Sequence, residues 1–179
     1  MYVKIVSSQI DFLSLKKDIF SLIDSQNLSE YDQISLTSIT GDNDWLCSVG
    51  KITDLPFKER FYSTINKACI GTSIETLIKQ YPNYYRWRLM RIKPRRTYSV
   101  HKDGLGVSNN IRLHVPVVTN PDCFLCFYEN VPESGKSIQV HHEHLSTGNV
   151  YEVNTTNYHT AVNYGIYDRY HIVGVRYKL

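Results

Sequence analysis

Cysteine is scarce in this chain. Cys47, Cys69, Cys123 and Cys126 are the four among 179 residues, and their spacing forms no disulfide framework. An excess of one charge is lacking too: 20 Lys and Arg against 17 Asp and Glu leave a formal net charge of +3. Binding to a phosphate backbone needs a clustered basic face rather than so slight an excess. No stretch approaches the roughly 20 apolar residues of a membrane helix. The opening MYVKIVSSQIDF has no long apolar segment of the kind a signal peptide carries. These absences predict a cytoplasmic protein in a reducing compartment, with no membrane and no nucleic-acid partner.

What is present describes a packed domain. Hydrophobic residues at 42% and charged residues at 21% fall in the globular range and exclude disorder. The length suits one domain able to bury a sizeable core, and no repeat or linker divides it. Cys123 and Cys126 form a lone CxxC in PDCFLCFY, an apolar run that reads as strand. A zinc ribbon needs two further ligands and a thioredoxin-type site needs a helix there, so packed thiols are expected. One basic cluster exists: Arg86, Arg88, Arg91, Lys93, Arg95 and Arg96, interleaved with Tyr84, Tyr85 and Trp87. It suits either an RNA strand or a half-buried strand with a solvated basic side, and the second is preferred.

Periodicity divides the chain into two parts. Between Asp11 and Leu28, Phe12, Leu15, Ile19, Leu22 and Ile23 recur at steps of three and four, which predicts a helix capped by Asp11. Gln33 to Ile39 alternates and predicts a strand, followed by a turn at Gly41-Asp42-Asn43-Asp44. Phe57 to Lys79, with Pro56 before and Pro82 after, predicts one or two helices. From Tyr84 onward, short runs rich in Tyr, Val and Ile are separated by Gly, Asn, Pro and Asp. They predict strands at Tyr85 to Ile92, Thr97 to His101, Asn110 to Val118, Cys123 to Tyr128, Ser137 to His144, Asn149 to Val153 and Arg169 to Tyr177. The fold expected is mainly β with N-terminal helices, a jelly roll of cupin-like form: residues 1–83 supply helical support and first strands, and 84–179 the barrel.

Candidate chemistry gathers in the second part. In YSVHKDGLG, His101 and Asp103 stand two apart at the end of an extended segment, so the pleat aims both to one side. Imidazole nitrogen and carboxylate oxygen are two parts of the two-His, one-carboxylate face that holds non-haem iron(II) with positions left open. His159, 58 residues downstream in NTTNYHTAVNYG, is the candidate third ligand in a strand-like setting. Arg169, within DRYHIVGVRY, stands one strand further on, where a guanidinium pairs a dicarboxylate co-substrate through two hydrogen bonds. Arg112 and His114 alternate onto one face of RLHVPVVTNP and are placed to meet the carboxylate nearer the metal. Tyr98 and Arg88 are candidates for the pocket mouth. His141, His142 and His144 suggest a second metal site only weakly; they are expected near a turn, exposed or against substrate.

The order H-x-D, R-L-H-V-P-V-V-T-N-P, G-N-V-Y-E-V-N-x-x-x-x-H-x-x-x-N and R, over roughly Trp87 to Val175, resembles the aspartyl/asparaginyl β-hydroxylase branch of the iron(II)- and 2-oxoglutarate-dependent oxygenases. The resemblance implies a double-stranded β-helix with iron at His101 and His159. It also implies 2-oxoglutarate held by Arg169 at one end and by Arg112 and His114 at the other. The best-known members carry a small residue in place of the carboxylate ligand. Asp103 brings this chain closer to members with a full triad, among them free-proline hydroxylases, and favours hydroxylation over halogenation. The expected activity is hydroxylation of an unactivated C–H bond in an amino acid, peptide or protein side chain, with O2 and 2-oxoglutarate consumed. The alternatives are a cupin-like barrel that binds a metal or small acidic ligand without oxygenase activity, and an RNA-binding module.

Overall fold

A computed structural model describes residues 1–6, 9–50, 58–103, 110–129 and 138–177. In chain order the elements are β1 (Val3–Val6), α1 (Phe12–Ser25), β2 (Gln33–Ser35), β3 (Thr37–Ser38), β4 (Thr64–Ile65), α2 (Ser73–Gln80), β5 (Tyr85–Ile92), β6 (Arg96–Thr97), β7 (Asn110–Val118), β8 (Cys123–Glu129), β9 (Ile138–Glu143), β10 (Val150–Asn154), β11 (Tyr158–Asn163) and β12 (Arg169–Tyr177). Short 3-10 turns lie at Lys58–Phe61 and Lys67–Cys69. The expected Asp11 cap forms: its carboxylate accepts from the Leu13 and Ser14 amides, two of the donors a helix start leaves unpaired.

The strands from β5 onward are dealt to two sheets. One has the order β1-β10-β7-β12-β5-β2, the other β6-β11-β8-β9. Every pairing is antiparallel. This is a jelly roll: β5, β7, β10 and β12 form one wall, β6, β8, β9 and β11 the other, with β1 and β2 extending the first wall. No helix among the described residues is long and apolar enough to cross a membrane.

The central strands β7, β12 and β5 of the larger sheet are mostly buried on both faces, and the pleat sorts their side chains. Leu113, Val115 and Val117 of β7, Ile172 of β12 and Trp87 and Leu89 of β5 join Leu15, Ile19, Leu22 and Ile23 of α1 and Ile74, Leu77 and Ile78 of α2 in one apolar cluster. Arg112 and His114, offset by one residue, turn to the opposite face. That inner face meets a second, smaller cluster containing Ile92, Leu125, Phe127, Tyr151, Val153 and Ala161. One strand therefore serves the helical core and the barrel interior at once.

Strands β5, β7 and β12 have the predicted limits. Other predicted elements differ. The segment Gln33 to Ile39 is two strands, because Leu36 is fully buried and bonds the Trp87 carbonyl where the chain leaves β5 to pair with β4. Thr97 to His101 is strand only at its start, returning as an isolated bridge at His101. Phe57 to Lys79 yields a single α-helix, α2, with 3-10 turns before it; Phe57 and Ser137 lie outside the described residues. The solvated basic side expected for the Arg86 to Arg96 strand is corrected: Arg86 and Arg88 are buried. Strand β5 lies between β12 and β2, so both of its edges are paired, and its two faces meet the helical cluster and the barrel interior.

Candidate metal centre

A backbone pairing brings the two histidines together. The His101 amide donates to the His159 carbonyl at 3.0 Å and the His159 amide to the His101 carbonyl at 2.9 Å. Directly opposed residues of an antiparallel pair project to the same side, and the two imidazole centroids are 4.5 Å apart. Asp103 is fixed by its own amide, which donates to the Thr155 carbonyl at 3.0 Å. One ligand-capable atom from each of His101, Asp103 and His159 falls within 4.8 Å of the others. The carboxylate lies 3.7 Å from His101 Nε2 and 3.9 Å from His159 Nε2.

The ring orientations suit a cation. His101 Nδ1 lies 2.8 Å from the Ser99 carbonyl and His159 Nδ1 lies 2.9 Å from the Asn157 carbonyl. A carbonyl only accepts, so each Nδ1 carries the proton in these bonds, and in the neutral ring Nε2 keeps its lone pair toward the carboxylate. Burial is the largest influence on His159 and lowers its pKa against the attraction of Asp103, which favours the neutral form that binds metals. The donor set is thus two imidazole nitrogens and one carboxylate oxygen with oriented outer partners, a set that fits a first-row divalent metal.

The carboxylate is itself held. Arg112 Nε donates to Asp103 Oδ2 at 2.8 Å, and Arg112 Nη1 lies 3.4 Å from Glu59 Oε1. Arg86 also pairs with Glu59 through Nη1 and donates from Nε to the Ser48 carbonyl at 3.0 Å. Burial alone would raise the Asp103 carboxyl. The charge and hydrogen bond of Arg112, with smaller help from the two histidines, outweigh it and hold the group well below the usual carboxylate range. Glu59 stands in KERF, a stretch without periodicity or motif, so nothing in the sequence singled it out.

Farther along the interior, His114, His171, Arg88 and Arg169 are all buried. Register places His114 opposite both Val173 of β12 and Tyr151 of β10, and Arg88 opposite Val173 from the other side. Arg169 Nη2 meets His171 Nδ1 at 2.9 Å. A guanidinium only donates, so Nδ1 accepts and His171 is neutral with its proton on Nε2. Burial, followed by the charge of Arg169, pushes both His114 and His171 far below the ordinary histidine range. His171 was legible only as the residue two beyond Arg169 on the same strand face.

The remaining candidates sit elsewhere. Cys123 and Cys126 are buried in β8, where Cys123 Sγ contacts Asn163 Oδ1 at 3.2 Å. His141 lies on β9 and stacks on Tyr2 at 5.3 Å, His142 is exposed, and His144 Nδ1 meets the Cys123 carbonyl. Among the described residues the only metal-competent group of three is His101, Asp103 and His159. Tyr98 is half-buried against the interior cluster, its hydroxyl donating to the Arg91 carbonyl at 3.2 Å.

No family model matches the chain, and no curated protein does. Solved structures match it in shape. It is similar to EvdMO1 at 14% identity, with a TM-score of 0.55 over 97% of this chain and 46% of that one. AviO1 from Streptomyces viridochromogenes Tue57 is 12% identical, with a TM-score of 0.53 over 99% and 90%. The non-heme alpha ketoglutarate dependent carbocyclase SnoK from nogalamycin biosynthesis is 14% identical, with a TM-score of 0.42 over 57% and 54%. This chain therefore spans about half the length of EvdMO1 and SnoK. At these identities the likeness bears on fold alone, and the fold is the mainly β jelly roll with N-terminal helices.

Proposed function

We propose that this chain is an iron(II)- and 2-oxoglutarate-dependent oxygenase related to the aspartyl/asparaginyl β-hydroxylases, hydroxylating an unactivated C–H bond of an amino acid, peptide or protein side chain. One observation carries the proposal: His101, His159 and Asp103 converge within 4.8 Å, with both imidazole Nδ1 atoms engaged by backbone carbonyls. Three facial ligands leave positions for a bidentate keto-acid and O2. Iron(II) with 2-oxoglutarate, when bound, supplies an oxidant strong enough for an unactivated C–H bond, leaving succinate and CO2.

The protein's part is holding and excluding. His101 and His159 offer Nε2, and Asp103 offers the oxygen that Arg112 does not occupy. Arg169, with no carboxylate partner among the described residues, pairs the distal carboxylate of the keto-acid. His114 reaches the nearer carboxylate from the row beside it; Arg112 shares that end and orients Asp103. Leu125, Phe127, Tyr151 and Val153 line the interior with apolar surface, which keeps water from the reacting atoms. Burial of Arg86 and Arg88 leaves the RNA-binding alternative only Arg91, Lys93, Arg95 and Arg96 of the basic cluster.

The test is iron- and 2-oxoglutarate-dependent succinate formation across a panel of amino acids and peptides, with anaerobic metal binding measured in parallel. His101→Ala and His159→Ala are expected to lose both metal and turnover. Succinate production unchanged in the histidine variants would reject the assignment. Metal binding without any 2-oxoglutarate turnover would favour the non-oxygenase cupin-like alternative.

A further inference from the structure

The barrel interior has more positive charge than the oxygenase chemistry uses. Arg86, Arg88, Arg112 and Arg169 are all buried; the carboxylates of Glu59 and Asp103 lie beside Arg86 and Arg112. Arg86 and Arg112 share those carboxylates. Two buried guanidiniums, Arg88 and Arg169, have no carboxylate partner among the described residues. One is Arg169, the anchor for the keto-acid. The other is Arg88: it is 6% exposed, its Nη1 donates to the neutral Gln33 Oε1 at 3.2 Å, and its Nε finds no partner.

A buried guanidinium without a counter-ion is costly unless a ligand completes it. The pleat of β5 sets Arg88 on the inner face, in the row of Val173, His114 and Tyr151, beside the keto-acid row rather than at the barrel surface. Burial, with repulsion from Arg86 and Arg112, pushes its pKa down to about 9 against the attraction of Asp103 and Glu59. Resting on the oxygenase reading above, we propose that Arg88 anchors a carboxylate of the molecule that is hydroxylated. The substrate is then a carboxylic acid whose carboxylate reaches the barrel interior. Gln33 steers the fork, leaving Nε and Nη2 free to pair the carboxylate.

The experiment follows the arginine Nε–H resonances of the full-length, metal-free protein by NMR, with acetate as the smallest carboxylate probe and acetamide as its neutral counterpart. The Arg88 resonance is assigned by its loss in Arg88→Lys, and Arg169 likewise. Acetate is expected to move the Arg88 signal, acetamide to leave it in place, and 2-oxoglutarate to move Arg169 while acetate still acts. If 2-oxoglutarate itself moves Arg88 and abolishes the acetate effect, Arg88 belongs to the co-substrate and the proposal is overturned. It is equally overturned if acetate moves nothing or acetamide acts as well. An acetate response at Arg88 with no response of Arg169 to 2-oxoglutarate, repeated with zinc(II) in the metal site, would sink the oxygenase assignment but keep the carboxylate site.

A stability readout separates this role from a structural one. Arg88→Met keeps the apolar stem and removes the unpaired charge, so the ligand-free variant is expected to melt about 2 to 4 °C higher than the parent and to lose its acetate response. A lower melting temperature would mark Arg88 as part of the scaffold and overturn the proposal.

Discussion

Replacing Asp103 by Asn separates the two tasks assigned to that carboxylate. The amide keeps the volume and one acceptor oxygen but removes the charge that faces Arg112 at 2.8 Å and the two imidazoles at 3.7 and 3.9 Å. Removing one partner of a buried ion pair costs about 3 to 5 kcal/mol. The Asp103 side chain is 21% exposed, the amide oxygen still accepts, and Glu59 remains near Arg112, so the loss in the metal-free protein is discounted to about 2 to 3 kcal/mol. For a chain of this length that is a fall of roughly 4 to 12 °C in melting temperature. Metal binding suffers separately, because a charged ligand lost from a buried site costs about 2 to 5 kcal/mol, or roughly 30- to 4,000-fold in Kd.

The assay is urea unfolding under anaerobic conditions with and without iron(II) at a concentration near one hundred times the parent Kd. Mass action then stabilises the parent by about 2.7 kcal/mol. The same iron concentration stabilises Asp103→Asn by less than about 0.9 kcal/mol, given the weakened Kd. Equal stabilisation of both proteins by iron would refute Asp103 as a ligand. A metal-free variant as stable as the parent would refute its pairing with Arg112.

Three further outcomes are expected. Arg169→Gln should weaken 2-oxoglutarate by roughly 30- to 4,000-fold while leaving iron affinity within a few-fold, as read by calorimetry; a proportional loss of iron would show that Arg169 shapes the metal site instead. Acid should destabilise the metal-free protein, because His114 and His171 have folded pKa values far below the ordinary 6.5. Below pH 6.5 the unfolded chain takes up protons that the folded one refuses, so stability is complete above that pH and falls on acidification by about 1.4 kcal/mol per pH unit for each imidazole. Urea midpoints that do not change between neutral and mildly acidic buffer would contradict this. Gly174→Ala places a Cβ 3.0 Å from two atoms of the fully buried Trp87 ring, an overpacking expected to cost about 1 to 3 kcal/mol with little change in metal affinity; unaltered thermal stability would mean that β5 and β12 are not packed as described.

Local pattern determined much of this protein. Periodicities of two and of three to four, with turn residues between, delimit α1, β5, β7 and β12, because those elements bury a face and their spacing must match the pleat or the helical turn. The HxD pair was legible for the same reason: two residues apart on extended chain share a side. Tertiary structure decided what crosses between elements. The approach of His159 to His101 depends on an antiparallel bridge closing 58 residues, which no local propensity encodes. Glu59 reaches Arg86 and Arg112 from a turn with no pattern of its own. Arg86 and Arg88 read as a solvated face, since charge on alternate residues normally marks the wet side of a strand. They are buried because β12 and β2 flank β5 and the opposite sheet closes over it, and whether a strand's polar face meets water or a barrel interior is fixed only when the second sheet is in place.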